Sequence, residues 1–215
     1  MAVEALILWG LIAYFIGSVP SGYVLVRLFL KKDVRHHGSG NIGATNVLRI
    51  GNRKLALLTY ILDVVKVWVP MFLFNLTMNP IKDLPSDVLV ASLMIVGVMA
   101  VMGHMYSCWL RFDGGKGVAT FMGYFVWLFP YGALVGGSVF LIVVFATKIV
   151  SLASLVAVLT AAIYVVIYIF PTLDMPMHLM WVSKSFFIVM IILIFFRHKD
   201  NIRRLIKGEE NKLNV

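Results

Sequence analysis

A single cysteine, Cys108, stands in 215 residues, which excludes an internal disulfide framework and a Cys/His zinc cluster alike. It sits beside Trp109 at the end of an apolar run and reads as a small packing residue. Charge is scarce too: Asp, Glu, Lys and Arg make up 13% of the chain against 61% hydrophobic residues. A soluble domain carries about 25% charge, so this chain must be solvated largely by lipid. The GxxxxGK[ST] P-loop is missing. No basic leader precedes the first apolar run, which carries Glu4 instead. That run outlasts a signal-peptide core and reads as a retained first span.

Apolar runs cover about Glu4 to Leu30, Leu55 to Met78, Val88 to Leu110, Gly117 to Thr147, Ser151 to Phe170 and Met177 to Phe196. Each needs about 20 residues to cross a bilayer, and all but the fourth are one span long. Pro130 divides the fourth, because proline removes a helical donor and clashes with the preceding turn. Two helices are expected there, Gly117 to Phe129 and Tyr131 to Thr147, the first unusually short. The fold class is therefore an all-α integral membrane bundle of about seven transmembrane helices in one domain, 1–215.

Basic residues orient that bundle. Lys31, Lys32, Arg35, Arg49, Arg53 and Lys54 fall in the first loop, Arg111 and Lys116 in the third, Lys148 in the fifth, and Arg197, Lys199, Arg203, Arg204, Lys207 and Lys212 in the tail. The opposite connections contain Lys82 alone. Seven spans put the N-terminus outside and the C-terminus in the cytoplasm. The segments 31–54, 111–117 and 148–151 and the tail 197–215 then all face the cytoplasm. Six spans would spoil the asymmetry.

Ionisable groups inside the apolar runs include Asp63, Lys66 and Lys184. Asp63 and Lys66 share a helix face at i, i+3 and read as a neutralising pair or as groups aimed into a site. Lys184 lies near the outer end of its span and can snorkel.

The formal charge of +9 fits anionic headgroups or anionic substrates, and its confinement to loops and tail of a membrane bundle removes nucleic acid as a partner. Polar segments on the predicted cytoplasmic side localise the chemistry. Gly38 to Asn46, with Gly40, Asn41, Gly43, Ala44 and Thr45 inside it, can turn its amides into an anion nest, to which Ser39, Thr45 and Asn46 add hydrogen bonds and Arg49 a bidentate clamp. Taken alone, such a segment is equally a flexible turn. Around Arg111 to Thr120, Lys116 stands where a helix begins, so its charge adds to unpaired amides, while Gly114, Gly115 and Gly117 leave room for a ligand. His104 upstream is an interfacial histidine or a site group. In the tail, His198 and Asn201 share a face if the helix continues, and Glu209, after Gly208, could hold a nearby cation. A polybasic tail on anionic lipid is the plainer reading. Ser151 and Ser154 open the sixth helix and serve packing or substrate space.

Taken together, GSVPSGY at 17–23, GSGNIGATNVLR at 38–49, the Asp63/Lys66 pair, GHMY at 103–106, GGKGVAT at 114–120, SLAS at 151–154 and RHKDNIRRLIKGEE at 197–210 resemble the PlsY family of bacterial acyl-phosphate:glycerol-3-phosphate acyltransferases. The likeness covers nearly the whole chain in the same motif order. It implies transfer of a fatty acyl group from acyl phosphate to the 1-hydroxyl of glycerol 3-phosphate, giving lysophosphatidate and inorganic phosphate as the first acylation of phospholipid synthesis. No cofactor and no metal are implied. The implied partners are the two substrates and membrane lipid, for a monomer in the bacterial inner membrane. By this carry-over Ser39, Arg49, Lys116, His198, Asn201 and Glu209 are the expected catalytic set. Gly40, Asn41, Gly43, Ala44, Thr45, Asn46, His104, Gly115, Gly117, Ser151 and Gly208 are the expected substrate-binding set. The chain departs from the family's GHxxP, with Ser107 at the proline, and from its FKGGKG, with Asp113 at the lysine.

Acyl phosphate is a mixed anhydride with a good leaving group, so direct attack by the alcohol is feasible without an acyl-enzyme. Ser39 and Ser151 then read as hydrogen-bonding groups. The alcohol proton goes to the departing phosphate, in preference to His104, His198 or Glu209 as general base. A transporter of phosphorylated molecules would share the spans and basic lining but calls for an internal repeat, and none is evident. A lipid-anchoring protein would explain the tail but not the ordered Gly-rich segments.

Overall fold

A computed structural model describes residues 2–78 and 85–213, so Lys82 and its connection lie outside the described residues. The described residues form helices and loops without strands. In chain order the helices are α1 (Ala2–Ser18), α2 (Ser21–Leu30), α3 (Ala44–Arg49), α4 (Arg53–Met78), α5 (Ser86–Met105), α6 (Val118–Leu128), α7 (Pro130–Thr147), α8 (Val150–Tyr164), α9 (Met177–Arg197) and α10 (Lys199–Ile206). A π turn, Val165–Ile169, and a 3-10 turn, Phe170–Thr172, extend α8.

Six segments among the described residues are long and apolar enough to cross a membrane: Glu4–Leu30, Arg53–Met78, Ser86–Leu110, Pro130–Thr147, Val150–Thr172 and Met177–Arg197. The break at Pro130 falls where expected, with Phe129 as N-cap and the proline in the first turn of α7, where its missing N–H costs nothing. It leaves α6 with 11 residues. At a rise of 1.5 Å per residue that is roughly 16 Å, about half of a hydrocarbon core. The expected seventh span is thus a half-length helix.

Pro20 also breaks the first span, separating α1 from α2. The missing proline N–H interrupts the helical ladder, and the carbonyls just before it turn to other partners. Val19 O accepts from the Lys66 ammonium at 2.9 Å, and Ser18 O accepts from the Ser107 hydroxyl at 2.6 Å. Broken helices are tolerated at membrane depth only where such groups are satisfied again.

The chain forms two compact units, Met1–Tyr124 and Phe125–Val215. In the first, α1 packs along α5 and both lie against α4. The Tyr14 hydroxyl donates to Tyr106 O at 2.7 Å, which ties the middle of α1 to the end of α5. The N-terminal half of α6 is held to α4 by the Trp68 indole, donating to Gly123 O at 2.7 Å. In the second unit, α7 and α8 pair closely through small residues, and a Cβ at Gly136 would stand only 2.8 Å from that of Ala161. Small interfaces of this kind let helices approach in lipid, where hydrophobic association is weak. Phe125, Phe129, Phe170 and Phe187 interlock by edge and stacked contacts with centroids 5.5 to 6.2 Å apart. Lys184 lies 5.6 Å over the Phe170 ring and 5.4 Å over that of Trp181, so its charge is met by ring faces as well as by reach toward water.

Ser107 is fully buried and its hydroxyl serves the carbonyl freed by the Pro20 break. Ser107→Ala should therefore lower stability by about 1–3 kcal/mol, the cost of one buried unsatisfied acceptor. Thermal unfolding in detergent measures it.

Candidate functional site

The segment between α2 and α4 is built from three apolar pins and one polar hub. Val34, Ile42 and Val47 are buried in a cluster with Leu25 and Val26 of α2, Leu55 and Ala56 of α4, and Leu110. These pins hold a chain that has little regular structure of its own. The hub is Asn46, 1% exposed. Its Oδ1 accepts from the Ser39 N–H at 2.8 Å, while its Nδ2 lies within reach of Val34 O at 3.1 Å, His37 O at 2.9 Å and Asn41 O at 2.8 Å. One amide thus closes the whole loop on itself.

Gly38, at φ +56°, touches that amide so closely that a Cβ would overlap Asn46 Oδ1. Asn41 adds an Asx turn, its Oδ1 accepting from the Gly43 N–H at 2.8 Å. Gly43 is the N-cap of α3, which carries Ala44, Thr45 and Asn46 in its first turn and Arg49 at its end. Asn46, expected to touch substrate, makes these contacts within the loop, as do the side-chain and main-chain carbonyls of Asn41. By contrast, Arg49 is half-buried with no hydrogen bond or ion pair to its guanidinium among the described residues, and the hydroxyls of Ser39 and Thr45 are half-buried beside it in sequence. These are the groups the loop leaves for a ligand.

The loop's rim carries a charge pair. Arg35 bonds Asp33 in bidentate fashion, with Nε–Oδ1 at 3.0 Å and Nη2–Oδ2 at 2.7 Å, and its guanidinium lies 4.9 Å over the Tyr23 ring. The Arg35 hydrogen bonds hold the Asp33 carboxyl well below the usual carboxylate range. Arg35 in turn is raised, mainly by Asp33 and to a lesser degree by Tyr23 and Asp113. The aspartate that departs from the FKGGKG pattern thus has the Arg35 cation in its surroundings.

The second polar segment lies along the end of α5. Gly114 N donates to Met105 O at 3.2 Å and Gly115 N to His104 O at 3.0 Å. Gly115 rests on the imidazole, and a Cβ there would overlap His104 Nε2. Lys116 follows, half-buried, and Gly117 at φ +88° turns the chain into α6. The buried Thr120 hydroxyl donates back to Gly117 O at 2.9 Å and closes the first turn. Lys116 is thus delivered immediately before a helix N-terminus, where free amides and the dipole favour an anion.

His104 is buried and is not an interfacial cap. Its Nδ1 stands 2.9 Å from Lys66 Nζ and 3.7 Å from Asp63 Oδ1, and Lys66 Nζ lies 2.8 Å from Asp63 Oδ1. The expected Asp63/Lys66 pair exists, and it runs on to a third residue that spacing along the chain does not reveal.

The second unit gathers the tail motif. His198 links α9 to α10 and its Nδ1 stands 2.8 Å from Ile194 O. His198 and Asn201 are both buried, as a shared face requires. Asn201 Nδ2 donates to Glu210 Oε1 at 3.0 Å, and Arg204 Nε donates to Glu210 Oε2 at 3.0 Å. The acid that holds a cation is therefore Glu210, which sequence reasoning missed, while Glu209 is exposed. The reason is local: α10 ends in a Schellman motif, with Gly208 at φ +72°, Gly208 N bonded to Leu205 O at 3.1 Å and Glu209 N to Arg204 O at 2.8 Å. The reversal turns Glu209 to solvent and Glu210 back to the helix. Gly208, expected to bind substrate, terminates this helix. Further on, Leu213 N donates to Lys148 O at 2.8 Å and ties the tail to the turn before α8. Ser151, in the first turn of α8, is buried with no hydrogen-bond partner for its Oγ among the described residues.

A loop of fixed amides beside an uncommitted arginine, and a lysine at a helix start, make an anion-binding arrangement. The family model for glycerol-3-phosphate acyltransferase matches residues 7–208. The chain belongs to the glycerol-3-phosphate acyltransferase family. A family member from Pelagibacter ubique is 36% identical over 203 residues, covering 94% of this chain and 95% of its own. The crystal structure of PlsY, an integral membrane glycerol 3-phosphate acyltransferase, in its glycerol 3-phosphate form superposes with a TM-score of 0.81 at 31% identity, covering 97% of this chain and 96% of that one. The lysophosphatidic acid form of PlsY gives 0.78 at 31% identity over 97% and 95%. This acyltransferase is thus matched along nearly its whole length, including both polar segments of the first unit and the tail motif.

Two outcomes test these placements. Asn46→Ala removes the hub, so amide hydrogen exchange should speed up markedly at Ser39 and across 34–46 while α7 and α8 keep their protection. Glu210→Ala should cost about 2 kcal/mol by leaving Arg204 and Asn201 without their partner, whereas Glu209→Ala should change stability by less than about 0.5 kcal/mol. Thermal unfolding of the two variants side by side separates them.

Proposed function

We propose that this membrane acyltransferase makes lysophosphatidate by taking its acyl group from acyl phosphate, at the cytoplasmic face of a bacterial inner membrane. The acylation of glycerol 3-phosphate itself follows from membership of the family. The observation that carries the reading is the full-length likeness to PlsY in forms named for glycerol 3-phosphate and lysophosphatidic acid. The loop chemistry supports it, because both phosphorylated substrates need cations and fixed N–H donors to approach one another.

In the first unit Arg49, Lys116, Ser39 and Thr45 bind phosphate oxygens. The ordered backbone around Gly40, Asn41, Gly43 and Ala44 keeps them in place. Gly115 and Gly117 let the Lys116 segment close on its ligand. In the second unit Ser151, His198 and Asn201 are assigned to the same reaction by their motif positions. Glu209 keeps no assigned role beyond that resemblance, since Glu210 makes the contacts.

The glycerol 3-phosphate 1-hydroxyl attacks the acyl carbonyl. The new ester C–O bond forms, the C–O bond to phosphate breaks, and the hydroxyl proton leaves on the departing phosphate. Catalysis then consists of positioning and charge neutralisation, which need no acyl-enzyme and no general base from the protein. The positive loops and tail support a cytoplasmic orientation, and the product leaves into the inner leaflet.

Purified protein in lipid should release inorganic phosphate from palmitoyl phosphate only when glycerol 3-phosphate is present. Lys116→Ala should lower that release at least about 100-fold, as loss of a charge-stabilising donor does. No release from folded wild-type protein would remove acyl phosphate as the donor.

A further inference from the structure

Asp63 and Lys66 have no part in the reaction as described, yet both are almost fully buried, at 2% and 7% exposure. Burying two charges is expensive, and a buried ion pair adds little net stability over apolar residues of similar volume. The pair therefore calls for another role.

An ammonium carries three donors and no acceptor. Lys66 Nζ has three oxygen or nitrogen neighbours at hydrogen-bond distance: Asp63 Oδ1 at 2.8 Å, Val19 O at 2.9 Å and His104 Nδ1 at 2.9 Å. Val19 O and His104 Nδ1 are hydrogen-bond partners of the ammonium, and Asp63 is its ion-pair partner. Asp63 supplies the counter-charge, and Val19 O lies at the Pro20 break, where it also accepts from the Ser21 N–H at 3.0 Å. His104 Nδ1 must then accept, so it carries no proton, and the ring proton of the neutral imidazole sits on Nε2. The Nε2 edge is the one that meets Gly115. The same histidine's carbonyl accepts the Gly115 N–H at 3.0 Å. Gly115 is thus held by the backbone of His104 and by its ring at once, one residue before Lys116.

We propose that Asp63 and Lys66 are positioning residues: they fix His104 as the Nε2–H tautomer, and His104 in turn fixes the path of Gly114–Gly115 and so the placement of Lys116. The arrangement presents a donor edge, not a lone pair, toward the segment that precedes Lys116. That polarity suits a phosphate oxygen held nearby and opposes none of its charge. The inference rests on the acyltransferase reading of Lys116, but its first measurement does not.

Protein with 15N-labelled histidine imidazoles is placed in lipid nanodiscs and the ring nitrogens are correlated with their protons, the His104 signals being assigned by their loss in His104→Gln. The expected pattern is a protonated Nε2 with a bare Nδ1. A proton on Nδ1 in the wild-type protein would overturn the proposal, whatever the activity. Lys66→Met should shift the pattern toward Nδ1–H. Because that variant strands the Asp63 charge and can fail to fold, the double variant Asp63→Leu/Lys66→Met is made beside it. The double variant, with no unpaired charge, should fold and still lose about 100-fold in kcat/KM for glycerol 3-phosphate per folded molecule, the scale of an ångström-sized misplacement. Wild-type kcat/KM in the folded double variant would mean the pair is only structural and would also overturn the proposal. If wild-type protein shows the Nε2–H pattern but no acyl transfer, the activity assignment fails and the tautomer assignment stands.

Discussion

The Lys66 ammonium is the constraint on which the first unit depends. It is a charge inside an apolar helix, tolerable only if it is paired. The three partners it finds come from three elements: the ion-pair partner Asp63 one turn earlier on α4, and the hydrogen-bond partners Val19 at the α1 break and His104 near the end of α5. Meeting that demand forces α1, α4 and α5 into one register. Ser107 and Tyr14 then fasten the same junction with two further hydrogen bonds. The Pro20 break, which would weaken a lone helix, leaves the Ser18 and Val19 carbonyls where Ser107 and Lys66 use them.

From that junction the order spreads outward to the polar segments. The Gly114–Lys116 segment lies on the end of α5 because His104 and Met105 offer their carbonyls to it. The loop before α3 is ordered by a different device, an asparagine amide that serves four backbone groups above an apolar floor. In both places glycine backbone is held by side chains, Asn46 in the first and His104 in the second. Binding sites for phosphate gain from this, since donors already fixed in place lose little entropy when the anion arrives.

The tail shows the same division of labour. His198 and Asn201 are turned inward, and Glu210 and Arg204 keep the helix and the returning chain together. An acid next to a glycine-terminated helix reverses its facing with a shift of one residue. That is why composition and spacing do not separate the adjacent pair Glu209 and Glu210, and why only the fold shows which of them holds the cation.

Much of this protein is written in its local pattern. Apolar runs of span length, the prolines that interrupt them and the clustering of basic residues follow from solvation in lipid, an effect that acts residue by residue. So do the Asp63/Lys66 pair and the inward face shared by His198 and Asn201, since a helical repeat brings together residues three apart. Glycine-rich motifs in a fixed order were enough to mark the family. What only the tertiary structure decided are the contacts between residues distant in sequence: Asn46 with Val34 and Ser39, Lys66 with Val19 and His104, Gly115 with the His104 ring, Glu210 with Asn201. The types of these residues admit many partners. The choice among them is made by close packing and by the need to pair buried polar groups, and neither condition can be evaluated until the helices have met.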